Sequence, residues 1–399
     1  MRYGLKELSL ASLIIVPLSG IIPIRGTDIW YVQYVWLFSF YLFFISCFFF
    51  KFNWRYALFS LVCLFSTVVV AQQHPRAIFC LYQVYFSIGA IWWISLQDHD
   101  FRKKAVGTIL ILFAIQVFWV ILQSFNLDPI FNKVGDRSLD DTVAFSGSHN
   151  QMGLFFASTI SYVLIYLPVA IPLSILSIYQ STTTIAWVSA FSTMFFISYI
   201  QGARVGIVIF FIAVLATSFI FFKYKEQMNI DVMTERWRLI VHTVKAVNSG
   251  KIVVETPSLQ VKKVIQANPI FGYGLGNFMR ISPKAQYQFL NIDKDKNSLV
   301  QHRYEHVHND IVEVLFDLGY VGLFSVLFII LDLVFKFIYA RKTKLMVTAF
   351  ASVFAHFICS MGIYTVHTAV SGLMLIFSLG IFYGEVGDGS SASMGKGAA

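Results

Sequence analysis

The residues with the clearest chemical potential are Tyr304-Glu305-His306-Val307-His308-Asn309-Asp310, which open an apolar run and are followed by Gly319-Tyr320-Val321-Gly322. Imidazole is the side chain best suited to accept a proton near neutral pH. At the mouth of a helix, His308 with His306 beside it can serve as a general base on a hydroxyl group. Asn309 and Asp310 are residue types that cap a helix and can hold a ring's orientation. The plainer reading is a pair of histidines that anchor a helix at an interface. His302, His306 and His308 are also metal-ligand types. No HExxH pattern is present, however, and His306 and His308 would point to different faces, so no metal and no cofactor is expected.

Guanidinium groups form the second set. Arg204 lies in Ile200-Gln201-Gly202-Ala203-Arg204-Val205-Gly206, between two apolar runs. An arginine near hydrocarbon usually has an anionic partner, and its planar fork matches phosphate oxygens in a way lysine cannot. The plainer alternative is snorkelling to the interface. Arg236 and Arg238, two residues apart on a helical pattern, cannot both face one ligand. Arg280 and Arg303 are weaker candidates. The stretch Asn268-Pro269-Ile270-Phe271-Gly272-Tyr273-Gly274-Leu275-Gly276-Asn277-Phe278 is neither a Walker loop nor a full GxGxxG, because Asn277 stands at the third glycine position. A tight turn against the helices is the favoured reading, with phosphate contact through backbone N–H groups as the minor one and Gly274 as a supporting candidate. His149 and Asn150 open a further apolar run, where they can cap a helix or line the same cavity.

The elements that must position these residues are read from hydropathy. Of 399 residues, 57% are hydrophobic and only 13% charged, about half the usual charged share, which excludes a water-soluble enzyme, a disordered chain and a disulfide scaffold. Apolar runs stand near 8–24, 30–50, 56–73, 77–96, 105–124, 150–172, 183–202, 205–222, 320–340, 345–363 and 366–384, each close to the ~20 residues needed for a crossing. The first run reads as an uncleaved helix, since no small-residue cleavage site follows it. The expected fold is an all-α polytopic membrane protein of about 11–12 transmembrane helices, one domain over 1–384. Cys47, Cys63, Cys80 and Cys359 all fall in apolar runs and read as small buried side chains. Basic residues alternate sides between the early runs. Lys51 and Arg55 share a side with Arg102, Lys103 and Lys104, and Arg341, Lys342 and Lys344 mark that side again. By the positive-inside rule this is the cytoplasmic side.

That assignment leaves three visible crossings between the outer loop at 125–149 and the outer segment near 308, where an even number is required. Either 150–182 crosses twice, or part of 226–260 returns through the membrane. The second option is favoured because it keeps Arg204 on the outer face. The polar loop at about 226–307 is basic, with 11 Lys or Arg against 6 Asp or Glu from 228 to 307, a balance suited to a phosphate or an anionic headgroup. The end of the chain from Gly384 to Ala399 is rich in Gly, Ser and Ala, and 385–399 is expected as a disordered cytoplasmic tail.

Together these features resemble the O-antigen ligase and polymerase superfamily of bacterial membrane glycosyltransferases, over roughly 145–323. The resemblance rests on His149-Asn150, Gly202-Ala203-Arg204, the Asn268-Pro269 to Gly276 turn, and His308-Asn309 followed after nine residues by Gly319-x-x-Gly322. It implies a GT-C-like fold in the inner membrane with its active site facing the periplasm. It also implies a metal-independent, inverting transfer of a glycan from undecaprenyl diphosphate to lipid A-core oligosaccharide. In that picture His308 is the catalytic base, Arg204 binds the diphosphate, and Arg236 is the best fit to a second diphosphate-binding arginine, although here the tryptophan is adjacent to it. His306, Asn309, Arg238, Arg280, His149, Asn150 and Gly274 are supporting candidates. The partners implied are the lipid-linked donor, the lipid A-core acceptor and membrane lipids, with no nucleic acid. The competing readings are an O-antigen or exopolysaccharide polymerase, a protein O-oligosaccharyltransferase, and a transporter of lipid-linked glycans.

Overall fold

The computed structural model describes residues 2–18, 54–71, 75–125, 127, 149–181, 183–202, 268–278, 309–362 and 369–394. These form helices and turns, with no strand among the described residues. In chain order the helices are α1 (Arg2–Leu18), α2 (Trp54–Phe65), α3 (Pro75–Ser95), α4 (His99–Ser124), α5 (His149–Tyr166), α6 (Ile171–Gln180), α7 (Thr184–Gln201), α8 (Asp310–Tyr339), α9 (Lys344–Ser360) and α10 (Ala369–Met394). Four of them, α3, α4, α8 and α10, contain stretches long and apolar enough to cross a membrane. On α8, Phe324, Leu327, Phe328, Leu331, Phe335 and Ile338 are exposed at three- and four-residue spacing. An apolar stripe of that size suits hydrocarbon rather than water.

At the centre is α5, apolar on all sides and buried from Gln151 to Leu164. It packs against α4, α6, α7, α9 and α10. Small residues allow this close approach, and its serine and threonine hydroxyls are satisfied within the helix. Ser158 and Thr159 both donate back to the Phe155 carbonyl at 2.9 Å. A hydroxyl chain ties the three central helices together: Tyr162 meets Ser378 at 2.8 Å, and Ser378 donates to Ser352 at 3.0 Å.

Two side-chain clusters define the two ends of the bundle. At one end Asn309, the N-cap of α8, donates to the Met361 carbonyl at the end of α9. Gly362 lies against Ile185 at the start of α7, and Gly153 at the start of α5 lies against Ala186. At the other end Glu385 of α10 receives Arg102 Nε and Thr343 Oγ1 and meets His99 Nδ1. Lys6, Lys103 and Lys104 stand with this cluster at the helix termini, whereas Arg76 opens α3 at the Asn309 end.

Two expectations bear on this arrangement. The segment 150–182 doubles back: Pro168 and Pro172, which lack the N–H that a continuing helix requires, separate α5 from α6. Ser181, just past α6, then packs onto Gly153. The reversal is the geometry that the first solution of the parity problem needs, while 226–260, on which the favoured solution rests, lies outside the described residues. The expected tail is also helical as far as Met394. Glu385, assigned to that tail, is almost completely buried and pairs with the fully buried Arg102 at 3.0 Å. A Gly/Ser-rich composition concealed one anchoring carboxylate.

Candidate functional site

Asn309 has extended backbone (φ −160°, ψ 106°), and its Oδ1 accepts from Val312 N at 3.1 Å. Its Nδ2 reaches Met361 O at 2.8 Å. The residue therefore fixes the start of α8 to the end of α9, directly after position 308. Asp310 and Glu313 follow in the first turn, where the helix N-terminus favours negative charge. With Asp317 they form a buried acidic face at i, i+3 and i+7. Arg76 lies near enough to act electrostatically on Asp317 and on Cys80.

One turn further on, α8 breaks at Gly319, whose φ of 64° and ψ of −162° are non-helical. Helical geometry would pair Phe316 O with Tyr320 N, and Asp317 O with Val321 N. Instead the glycine turn 268–278 enters the gap. Tyr273 N donates to Phe316 O and Gly274 N to Asp317 O, both at 2.9 Å. Tyr320 N donates to Pro269 O at 2.8 Å and Val321 N to Ile270 O at 3.2 Å. Four backbone groups freed by the break are thus satisfied by one external segment, which is what tolerates a broken helix away from water.

The turn is held on its other sides as well. Gly276 N donates to Asp317 Oδ2 at 2.7 Å, and Leu275 N to Ser66 Oγ at 2.9 Å. Ser66 begins a π-helical turn, Ser66–Val70, that ends α2. A Cβ on Gly272 would stand 2.5 Å from Phe316 O, and one on Gly274 2.8 Å from Ala71 Cα. Both residues have positive φ, so only glycine fits. Above the break, the Tyr273 ring stacks on Phe316 with centroids 4.9 Å apart. The Tyr273 phenol lies outside the helices, and burial raises its pKa.

This arrangement revises the role of Gly274. Every backbone N–H from Gly272 to Asn277 is committed to a protein acceptor: Asn268 O, Phe316 O, Asp317 O, Ser66 Oγ, Asp317 Oδ2 and Gly274 O in turn. The segment is a structural insert, and its amides are not directed at a phosphate.

His308, His306, Arg204, Arg236, Arg238 and Arg280 lie outside the described residues. The helix beginning at His149 and Asn150 starts, as expected, at the Asn309 end. The position of Gly202 is different. It terminates α7, which starts beside Gly362 at the Asn309 end and runs 18 residues away from it, about 27 Å. On the way Ser189 donates to Ala355 O, and Phe196 packs on Phe337 and Phe350 near the other end of α8 and α9. Two residues of chain reach at most ~7 Å. The expected convergence of positions 308 and 204 at one rim is therefore not supported by their described neighbours, Asn309 and Gly202, which stand at opposite ends.

Among the described residues no group of three or more His, Cys, Asp or Glu is arranged to hold a metal ion. The triple-histidine stretch falls outside them. Sequence reasoning missed Ser66, Arg76, Glu313 and Asp317. A signal for the acids was present, because carboxylates at i, i+3 and i+7 in an apolar helix are costly unless they have a task. No family model matches the chain, and no curated protein matches it significantly.

Proposed function

We propose that the protein is a membrane glycosyltransferase of the O-antigen ligase type. It transfers a glycan from undecaprenyl diphosphate to lipid A-core oligosaccharide at the Asn309 end of the bundle, facing the periplasm. The observation that carries this reading is the interlocking of the two segments on which the resemblance rests. Residues 268–276 and 309–322 are separate in sequence, yet they complete each other's backbone hydrogen bonds at the break in α8, about two to three turns along the helix from Asn309. The orientation is supported by Arg341, Lys342 and Lys344 at the opposite end, with Lys6, Lys103 and Lys104.

The chemistry needs no metal. A glycosyl diphosphate carries its own leaving group, so a base on the acceptor hydroxyl and cations on the departing diphosphate suffice. His308 takes the base role. Arg236, Arg238 and Arg280 are the cationic candidates from the adjoining stretches, with Arg76 beside the turn as a further one. Arg204 is not used, because its described neighbour Gly202 lies at the far end.

A second reading has its own observation. A broken helix bearing buried carboxylates is a feature of transporters, and α8 has both. Against it, the freed groups of the break are bonded to the turn rather than open to a conduit. Purified protein incubated with lipid-linked glycan and rough lipopolysaccharide, or with donor alone, separates the readings. A lengthened lipopolysaccharide supports the ligase, a lengthened donor the polymerase, and glycan crossing vesicles unchanged the transporter.

A further inference from the structure

We draw no further inference here: the strongest candidate, the buried acidic face of Asp310, Glu313 and Asp317 with the Asn277 amide near the break in α8, belongs to the interlocked turn already described, and nothing among the described residues shows what ligand it would hold.

Discussion

Gly319→Ala is the sharpest perturbation of the interlocked turn. A Cβ at this position would stand 2.3 Å from Ile270 O and 2.7 Å from Gly272 N, with backbone at φ 64° and ψ −162°. That conformation costs a non-glycine residue about 1–3 kcal/mol, before the clash. The chain has one escape, which is to straighten α8. Straightening restores the two helical bonds from Tyr320 N and Val321 N but releases all four bonds to the turn, a net loss of two at roughly 1 kcal/mol each. Either route costs about 2–4 kcal/mol. Hydrogen exchange with mass spectrometry reads this directly. Peptides covering 268–278 and 319–322 should lose protection by at least about thirtyfold, the equivalent of 2 kcal/mol. Gly89→Ala and Gly107→Ala, on helices where a Cβ meets nothing within 4 Å, serve as controls with unchanged or slightly higher protection. Unaltered exchange at 268–278 in Gly319→Ala would refute the reasoning.

Other outcomes follow from the same geometry. Asn309→Ala removes a cap and a tie to α9 and should lower thermal stability by about 1–2 kcal/mol, read from the unfolding midpoint in detergent. Ending the chain at Gly384 strips Arg102 of its carboxylate and should cost about 3–5 kcal/mol, whereas ending it at Met394 should cost nothing measurable by the same assay. In a background with its native cysteines replaced, Gln201→Cys and Lys344→Cys should label from one side of the membrane and Met361→Cys from the other; shared labelling of 201 and 361 would contradict the α7 direction. Hydrogen bonding from Lys6 holds the Asp98 carboxyl below its usual range. A lowered carboxylate pKa stabilises the fold above the unfolded-state value and loses that contribution as pH falls through the folded-state value. Asp98→Asn should therefore be less stable than wild type at neutral pH, with the two melting curves merging below about pH 4.

The helices of this protein are legible in the sequence where one hydropathic run equals one helix. The termini of α3 and α4 fall where charged and polar residues interrupt apolar stretches, and Asn309 caps α8 as its residue type implies. Legibility fails for physical reasons elsewhere. A ten-residue helix such as α6 is too short to register as a separate run, so the reversal at Pro168 and Pro172 shows in the sequence only as one of two alternatives for the 150–182 stretch. Glu385 is a single carboxylate in a Gly/Ser-rich segment, and nothing local signals that Arg102 waits for it 283 positions earlier. The lock between the glycine turn and α8 is made of backbone hydrogen bonds, which leave no periodicity in the side chains. Only the glycines that tolerate the close approach are visible, which is why the turn and Gly319 both stand out in the sequence while their pairing does not.

The glycosyltransferase reading is tested most directly by reconstituting the purified protein in nanodiscs with an undecaprenyl-diphosphate-linked glycan and rough lipopolysaccharide, beside its His308→Ala variant. The expected result is a glycan-extended lipopolysaccharide from wild type, in the presence of a chelator, and none from His308→Ala at equal protein abundance. Product formed at the wild-type rate by His308→Ala, or no extension of either lipopolysaccharide or donor by wild type, would contradict it.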